Sequence, residues 1–318
     1  MQAVGEPVRW RVAWQEALYG AGGFYSSNAP AAHFRTSVVA SALFAGAIGR
    51  LTRQAGLDTV VDMGAGGGEL LSALHLLDPD LRLHGVDLGN RPPGLPDAVT
   101  WSHDVPVVDG GLLLANEWLD NIPCEVIEST ADGPRVVMVD PAAAEESLGP
   151  SPDNADARWL DRWWPLAEVG CRAEVGRSRD EAWATAVSKL ERGLAIAVDY
   201  AHTRDSRPPY GTLTGYRRGR QVVPIPDGSC DITAHVALDS CAAAAPGDTA
   251  LVSQRQALRA LGVSGLTPPY ALGRVDPARY SRGLQGASEA AELLHPAGLG
   301  GFSWLIHAVA TPLPALGD

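Results

Sequence analysis

A glycine-rich turn after residue 63 has the composition of a ligand-binding loop. The run over 60–70 reads Val-Val-Asp-Met-Gly-Ala-Gly-Gly-Gly-Glu-Leu, and its acid is Asp62. Its small residues are Gly64, Ala65, Gly66, Gly67 and Gly68, with a G-x-G-x-G spacing at 64, 66 and 68. A nicotinamide fingerprint would need a third glycine where Glu69 stands, and no Gly-Lys-Ser/Thr of a P-loop follows. The pattern that remains lets backbone approach a ligand closely and offers helix N–H groups to an anionic group such as a carboxylate.

Acids at the ends of the next two predicted strands suggest what that ligand is. Asp87 follows Gly68 by 19 residues and can accept hydrogen bonds from a ribose diol. Asp104 ends the third strand, where a carboxylate can accept from an adenine amino group; the alternative is an ordinary loop cap. Together with the glycine turn, these acids predict S-adenosylmethionine (SAM). The predicted cofactor-binding residues are Asp62, Gly64, Ala65, Gly66, Gly68, Asp87, Leu88, His103, Asp104 and Asn116.

Further carboxylates follow the fourth predicted strand, in Asn-Glu-Trp-Leu-Asp-Asn-Ile-Pro over 116–123. Methyl transfer is an in-line displacement at carbon, so the protein must align the nucleophile and keep its lone pair free. Glu117 and Asp120 can hold a guanidinium or an amine and accept its proton, and Asp199 and Asp231 add acid nearby. A guanidinium is protonated in water, so this much acid favours nitrogen, and arginine first, as the acceptor. The alternative is that Glu117 and Asp120 cap a following helix.

His235 is the third predicted catalytic residue, because an imidazole titrates near neutral pH. A structural role for this lone histidine is the alternative. No histidines and cysteines stand at metal-ligand spacing, so no metal is expected.

The composition indicates a globular protein. The chain has 318 residues, a net charge of -12, 46% hydrophobic residues and 19% charged residues. This acidic balance disfavours nucleic acid as a partner. The longest apolar stretch, 38–48, is too short to span a bilayer, and residues 1–11 show no basic region followed by an apolar run, so neither membrane spanning nor secretion is expected. With four cysteines that are far apart, a cytoplasmic location is expected.

The elements that must position these residues are alternating strands and helices. Apolar runs that end in polar residues predict buried parallel strands, whose carboxyl ends hold the ligand site. The predicted strands are 59–63, 81–88, 99–101, 112–115, 194–199 and 302–309, with a hairpin over 124–129 and 135–140. The predicted helices are 8–19, 31–54, 69–77, 157–170, 179–191, 251–261 and 287–294.

The 116–123 stretch resembles the Asn-Glu-Phe/Trp-Phe/Leu-Asp-x-x-Pro motif of the MidA-like SAM-dependent methyltransferases, which include a mitochondrial complex I assembly-factor methyltransferase. Further blocks agree in order, and they are Gly23-Phe24-Tyr25-Ser26, Phe34-x-Thr36-Ser37, Val198-Asp199-Tyr200, Gly211-Thr212-Leu213 with Arg217-Arg218, and Asp231-Ile232-Thr233-Ala234-His235-Val236. The chain departs from the family pattern at 38–41, at Ala32-His33 and over 89–96. These departures leave the cofactor residues unchanged and concern the acceptor.

The resemblance implies an α/β fold with a Rossmann-like class I methyltransferase core, a mostly parallel seven-stranded sheet, a helical N-terminal region and an inserted helical and loop region. We expect an N-terminal helical cap over 1–56, the SAM-binding core over 57–140 and 194–318, and the insertion over 141–193. The irregular 201–249 segment is expected to form part of the acceptor channel.

Three functions follow as hypotheses. The first is N-methylation of a protein or peptide arginine. The second is methylation of a small natural product, and the third is a SAM-binding assembly factor without turnover. The expected partner is therefore a protein, peptide or small-molecule methyl acceptor, with neither nucleic acid nor membrane, and a homodimer is left open.

Overall fold

A computed structural model describes residues 6–27 and 42–317. The 31–41 part of the first long predicted helix, with His33 and the Phe34-x-Thr36-Ser37 block, lies outside the described residues. Contacts divide the chain into two compact units. Of the described residues, the first unit contains 6–27, 118–186 and 199–246, and the second unit contains 42–117, 187–198 and 247–317. The domain boundaries expected from the sequence stay a prediction.

Strands and helices alternate through much of the chain. The strands are β1 Val8–Arg9, β2 Thr59–Met63, β3 Arg82–Val86, β4 Val99–Ser102, β5 Val108–Asn116, β6 Glu125–Thr130, β7 Gly133–Val139, β8 Glu146–Leu148, β9 Arg172–Val175, β10 Leu190–Asp199, β11 Ala201–His202, β12 Thr214–Arg217, β13 Arg220–Val222, β14 Asp231–Thr233, β15 Val236–Ala237, β16 Asp248–Ser253 and β17 Ser303–Val309. The α-helices are α1 Trp10–Tyr19, α2 Phe24–Ser27, α3 Ala42–Gln54, α4 Glu69–Leu77, α5 Asn154–Trp163, α6 Arg177–Val187, α7 Leu238–Ala244, α8 Gln254–Ala260, α9 Leu272–Val275 and α10 Pro277–Leu293.

Within the described residues, the second unit is built on a mixed sheet of seven strands in the order β16-β17-β10-β5-β2-β3-β4. The neighbouring pairs from β10 to β4 are parallel, and β16 runs antiparallel to β17. The apolar runs of β2 and β5 are buried, as expected for parallel strands covered on both faces. The α/β class predicted from the sequence is confirmed, and the ends of β2, β3, β4 and β5 lie along one edge of the sheet.

The first unit packs helices on a five-stranded sheet in the order β1-β7-β6-β9, with β8 beside β7. Two smaller sheets follow in the described residues. One pairs β11 with β15, and the other has three strands in the order β13-β12-β14. Helix α1 buries one apolar face at spacings of three and four residues. On that face, the Trp14 indole donates to the Ile232 carbonyl oxygen over 2.8 Å, which joins α1 to β14.

Three segments differ from the sequence prediction. The 141–193 segment, expected to be helical or loop, also contains β8 and β9, because β9 pairs antiparallel with the predicted hairpin strand β6. The 201–249 segment contains short strands and α7 where no periodic pattern was visible. Residues 248–253 form β16, where the predicted helix begins at 251, because every residue pairs with β17. Helix α8 starts only after the Ser253 cap, whose hydroxyl accepts from Gln256 N.

Candidate active site

The cofactor-binding residues predicted from the sequence all lie in the second unit, at the carboxyl edge of its parallel strands. Asp62 belongs to β2 and precedes the glycine turn, and Asn116 ends β5. Asp87 and Leu88 follow β3, and His103 and Asp104 follow β4. The structure therefore brings these residues to one edge of the sheet.

The glycine turn needs backbone conformations that other residues rarely adopt. Gly64, Gly66 and Gly68 have φ angles of 67°, 53° and 74°. A side chain at Gly68 would place its Cβ 2.5 Å from Leu95 Cδ2. At the other end of the turn, Gly64 N donates to Val86 O over 2.8 Å. The turn thus lies against the end of β3 and leads directly into α4.

Asp87 is oriented by the turn and keeps capacity to bind a ligand. Its Oδ2 accepts from Gly66 N over 2.9 Å, and its Oδ1 accepts from Gly89 N over 2.7 Å. A carboxylate oxygen can accept more than one hydrogen bond, so both oxygens remain acceptors. The neighbouring His103 ring places Nδ1 2.9 Å from the Asp87 carbonyl oxygen. Leu88 is exposed, as is Asp104.

Asp62 is a buried acid without a donor. It is 5% exposed, and no described residue donates a hydrogen bond to its carboxyl. Burial, followed by the negative charges of Glu69 and Asp87, raises the pKa of Asp62 to about 8. The free protein therefore carries a protonated Asp62 at neutral pH, and a cation beside it would restore the carboxylate.

The end of β5 combines an unpaired amide oxygen with a strained glutamate. Asn116 Nδ2 donates to Glu117 Oε1 over 3.3 Å, while Asn116 Oδ1 is buried and has no hydrogen-bond partner among the described residues. Glu117 has a φ of 52°, which is unusual for a residue with a side chain, and its N–H donates to Val198 O over 2.8 Å. Such strain is often found at functional positions. No helix follows in the described residues 117–124, so the helix-cap alternative for Glu117 and Asp120 is wrong.

In the first unit, Asp120 is buried with one oxygen unpaired. Its Oδ2 accepts from the Thr233 hydroxyl over 2.7 Å, whereas Oδ1 has no hydrogen-bond partner among the described residues. Asp199 Oδ2 accepts from the N–H groups of Leu119 and Asp120 over 3.1 and 3.2 Å. Asp199 therefore orients the turn that carries Asp120.

Tyr25 and Tyr216 lie close enough to Asp120 to be affected by its charge, and both neighbour a second acid, Asp231. The Tyr25 hydroxyl donates to Asp231 Oδ1 over 3.0 Å, and Tyr19 packs on Tyr25 with ring centroids 5.5 Å apart. Tyr216 pairs with Asp231 across the β12–β14 ladder. Burial raises the pKa of Tyr25 well above its ordinary value, and the charges of Asp231 and Asp120 act in the same direction. We call these five residues the acid–tyrosine cluster.

His235 follows this cluster in the chain, and its ring stacks on Tyr200. The ring centroids are 5.6 Å apart at 16°, and His235 N donates to Thr212 Oγ1 over 2.9 Å. His235 as a whole remains exposed. Partial burial of its ring, followed by the charge of Arg179, lowers the pKa of His235. The imidazole is therefore neutral at neutral pH.

Arg179 is the residue of this site that sequence reasoning missed. It is 1% exposed and donates to the carbonyl oxygens of Asp120, Ile122 and His235. Burial raises the pKa of the Asp120 carboxyl above its ordinary value, and the Thr233 hydrogen bond and the Arg179 charge offset only part of that effect. As one of 24 arginines in the sequence, Arg179 carried no signal of its role.

Neither a metal-binding cluster nor a membrane-crossing helix occurs in the part of the chain that the structure describes. In residues 6–27 and 42–317, no group of three or more His, Cys, Asp and Glu side chains could hold a metal ion. No helix in the same part of the chain has both the length and the apolarity to cross a membrane.

Comparison with known proteins identifies the family. The sequence profile of a family of S-adenosyl-L-methionine-dependent methyltransferases matches residues 75–256, which is 182 of the 318 residues. The chain belongs to this family. It is therefore a SAM-dependent methyltransferase, and SAM is its cofactor.

Two solved structures from Burkholderia thailandensis agree with this membership. The crystal structure of a superfamily member bound to S-adenosyl-homocysteine is 25% identical, with a TM-score of 0.81, and the match covers 98% of this chain and 91% of the other. A native crystal structure of an uncharacterized superfamily protein is 26% identical, with a TM-score of 0.80 and coverage of 98% and 89%. No curated protein matches the chain. The predicted resemblance to MidA-like methyltransferases is confirmed.

Proposed function

We propose that the second unit holds SAM in a class I, Rossmann-like arrangement and that the methyl group goes to nitrogen, first of all to an arginine of a protein or peptide. The observation that carries the acceptor proposal is Asp120, buried with Oδ1 unpaired among the described residues. An unsatisfied buried polar group costs about 1–3 kcal/mol. A guanidinium would remove that cost, because it offers several N–H donors in a planar fork.

The residues at the sheet edge fit SAM. We assign its adenosine to Asp87, Leu88, His103 and Asp104 and its amino-acid part to Asp62, Gly64, Ala65, Gly66, Gly68 and Asn116. The donor-free Asp62 carboxyl and the unpaired Asn116 oxygen suit a cationic amino group. The N–H groups of Gly64, Ala65, Gly66 and Gly68 donate within the protein, so the N–H groups in the first turn of α4 are the ones that suit a carboxylate. When bound, SAM supplies an electrophilic methyl carbon.

The acid–tyrosine cluster supports a cationic acceptor. Asp120 and Asp231 would repel a carboxylate acceptor and give a neutral hydroxyl little advantage, whereas both attract a guanidinium. Tyrosine rings add favourable contact with a cation. We assign the orientation of the guanidinium to Asp120 and the acceptance of its proton to the neutral His235. Glu117 is assigned to the transfer step, where it positions or deprotonates the acceptor.

Methyl labelling tests this proposal. An extract from cells that lack the protein is incubated with the purified enzyme and SAM that carries an isotope-labelled methyl group, and mass spectrometry locates the label. We expect label on guanidinium nitrogen of arginine in a polypeptide. Asp120→Asn is the matched control, since it keeps the shape of the side chain and removes its charge. It should retain SAM binding and lose the label.

The other outcomes decide against the proposal. Label found only on oxygen or carbon of a small metabolite would overturn arginine as the acceptor and favour the natural-product methyltransferase. Tight SAM binding without label in any fraction would favour an assembly factor without turnover.

A further inference from the structure

Arg179, in α6, is a buried cation that donates to backbone carbonyl groups. Nη2 donates to Asp120 O over 2.6 Å, Nη1 to His235 O over 2.8 Å and Nε to Ile122 O over 3.1 Å. The Trp14 ring covers the guanidinium, with the Arg179 Cζ 5.7 Å from the ring centroid. The guanidinium thus joins the turn that carries Asp120 to the segment that carries His235.

Within residues 6–27 and 42–317, no carboxylate forms a salt bridge with Arg179. Burying a charge lowers the stability of a protein unless other groups compensate it, so a buried arginine at this place calls for a physical explanation. Its field acts on both predicted catalytic residues of the first unit: it lowers the pKa of Asp120 against the effect of burial and adds to the effect of burial in lowering the pKa of His235.

We propose that Arg179 is the positioning residue of the methyl-acceptor side, which fixes Asp120 and His235 relative to each other through hydrogen bonds to their backbone carbonyl groups. This inference rests on the proposed function in one respect, namely that these two residues serve the acceptor.

The other contacts of Asp120 and His235 show what the hydrogen bonds from Arg179 to the carbonyl groups add. Asp120 and Thr233, which hydrogen-bond each other, are 113 residues apart in the chain, so local structure cannot fix their geometry. Asp199 holds the N–H of Asp120, and Thr212 holds the N–H of His235. Arg179 binds the carbonyl groups of the same two residues. A lysine cannot reproduce this planar fork.

Among the described residues, Arg179 is the charged group that acts on the pKa of His235, in addition to the larger effect of burial. Tyr200 stacks on the His235 ring, and the charge of His235 acts on the ring of His202 on β11. Burial, followed by the charge of Arg207, lowers the pKa of His202 to about 3, so His202 is uncharged at neutral pH. The protonation of His235 should therefore respond to the removal of Arg179.

The test uses two substitutions at Arg179 and a control on the same helix. Arg179→Met removes charge and donors, and Arg179→Lys keeps the charge and loses the fork. Arg177→Met is the matched control, because it removes a guanidinium two residues from Arg179 in the chain. The Nε of Arg177 lies 3.0 Å from Asp156 Oδ1. His235 is titrated by NMR with labelled histidine, its signal being assigned with His235→Gln. The same proteins are measured for SAM affinity and for turnover against pH.

We expect the pKa of His235 to rise in Arg179→Met and to stay near the wild-type value in Arg179→Lys and Arg177→Met. Turnover should fall about tenfold to a hundredfold in both Arg179 variants, with unchanged SAM affinity, because a small displacement of reacting groups is costly. If Arg179→Met does not fold, turnover of Arg179→Lys tests the positioning. A folded Arg179→Met protein with the wild-type His235 titration, or wild-type turnover in Arg179→Lys, would overturn the proposal. The NMR titration of His235 needs no methyl acceptor, so its result tests the role of Arg179 even if the acceptor is not arginine.

Discussion

Binding of SAM should displace a proton from Asp62, so affinity should rise with pH. Burial and the charges of Glu69 and Asp87 raise the pKa of this carboxyl to about 8. At pH 7 about 0.9 of such carboxyls are protonated, whereas a bound cation favours the ionised form. If SAM binds beside the carboxylate, Kd falls about ninefold from pH 6 to pH 7 and about fivefold from pH 7 to pH 8, and then levels off.

Calorimetry at pH 7 in two buffers of different ionisation enthalpy measures this proton. We expect about 0.9 proton to be released for each SAM bound by the wild type. Asp62→Asn is the control, because its amide cannot release a proton. Any titration of the SAM amino group is the same for this variant and for the wild type. A wild-type binding enthalpy that does not depend on the buffer, together with a Kd that is flat from pH 6 to pH 8, would refute the reasoning.

Two further predictions concern the strained backbone of the second unit. Glu117→Gln should retain SAM affinity by calorimetry and lose about a hundredfold or more in turnover, since it removes a group that positions or deprotonates the acceptor; equal loss of both would make Glu117 structural. Gly68→Ala should lower the free energy of unfolding in denaturant titration by more than Gly56→Ala does. Both positions have positive φ angles, which cost about 1–2 kcal/mol for a residue with a side chain. An added Cβ would contact Leu95 at Gly68, whereas at Gly56 it would meet nothing within 4 Å. Equal losses would contradict the contact with Leu95.

The parallel strands of the second unit were predictable, and β2 and β5 show why, because burial on both faces leaves an apolar run. Residues 59–63 were predicted within the bounds of β2, and the acids at the ends of β3 and β4 follow from the same pattern. The short strands over 201–249 were not predictable, since strands of two to four residues carry no period. The alternation of the first and second units along the chain is likewise set by long-range contacts that composition does not mark.

The residue types at the candidate site were predictable to different degrees. Asp62 and Asp87 follow from their spacing to the glycine turn, and the structure places them at one sheet edge with it. Arg179 could not be predicted, because its partners are backbone carbonyl groups that any sequence provides. The role of Asp199, which binds two consecutive N–H groups, also depends on a turn that only the folded chain forms.

The most direct test of the central claim compares a guanidinium with its uncharged isostere. A peptide from the labelled site is made with arginine and with citrulline, and binding of each to the enzyme saturated with S-adenosylhomocysteine is measured by calorimetry. The account predicts that the wild type binds the arginine peptide at least about tenfold more tightly, since a charge-assisted hydrogen bond contributes about 1.5–3 kcal/mol. Asp120→Asn should reduce that preference. Equal affinity of the wild type for both peptides would contradict the claim that Asp120 holds a cationic acceptor.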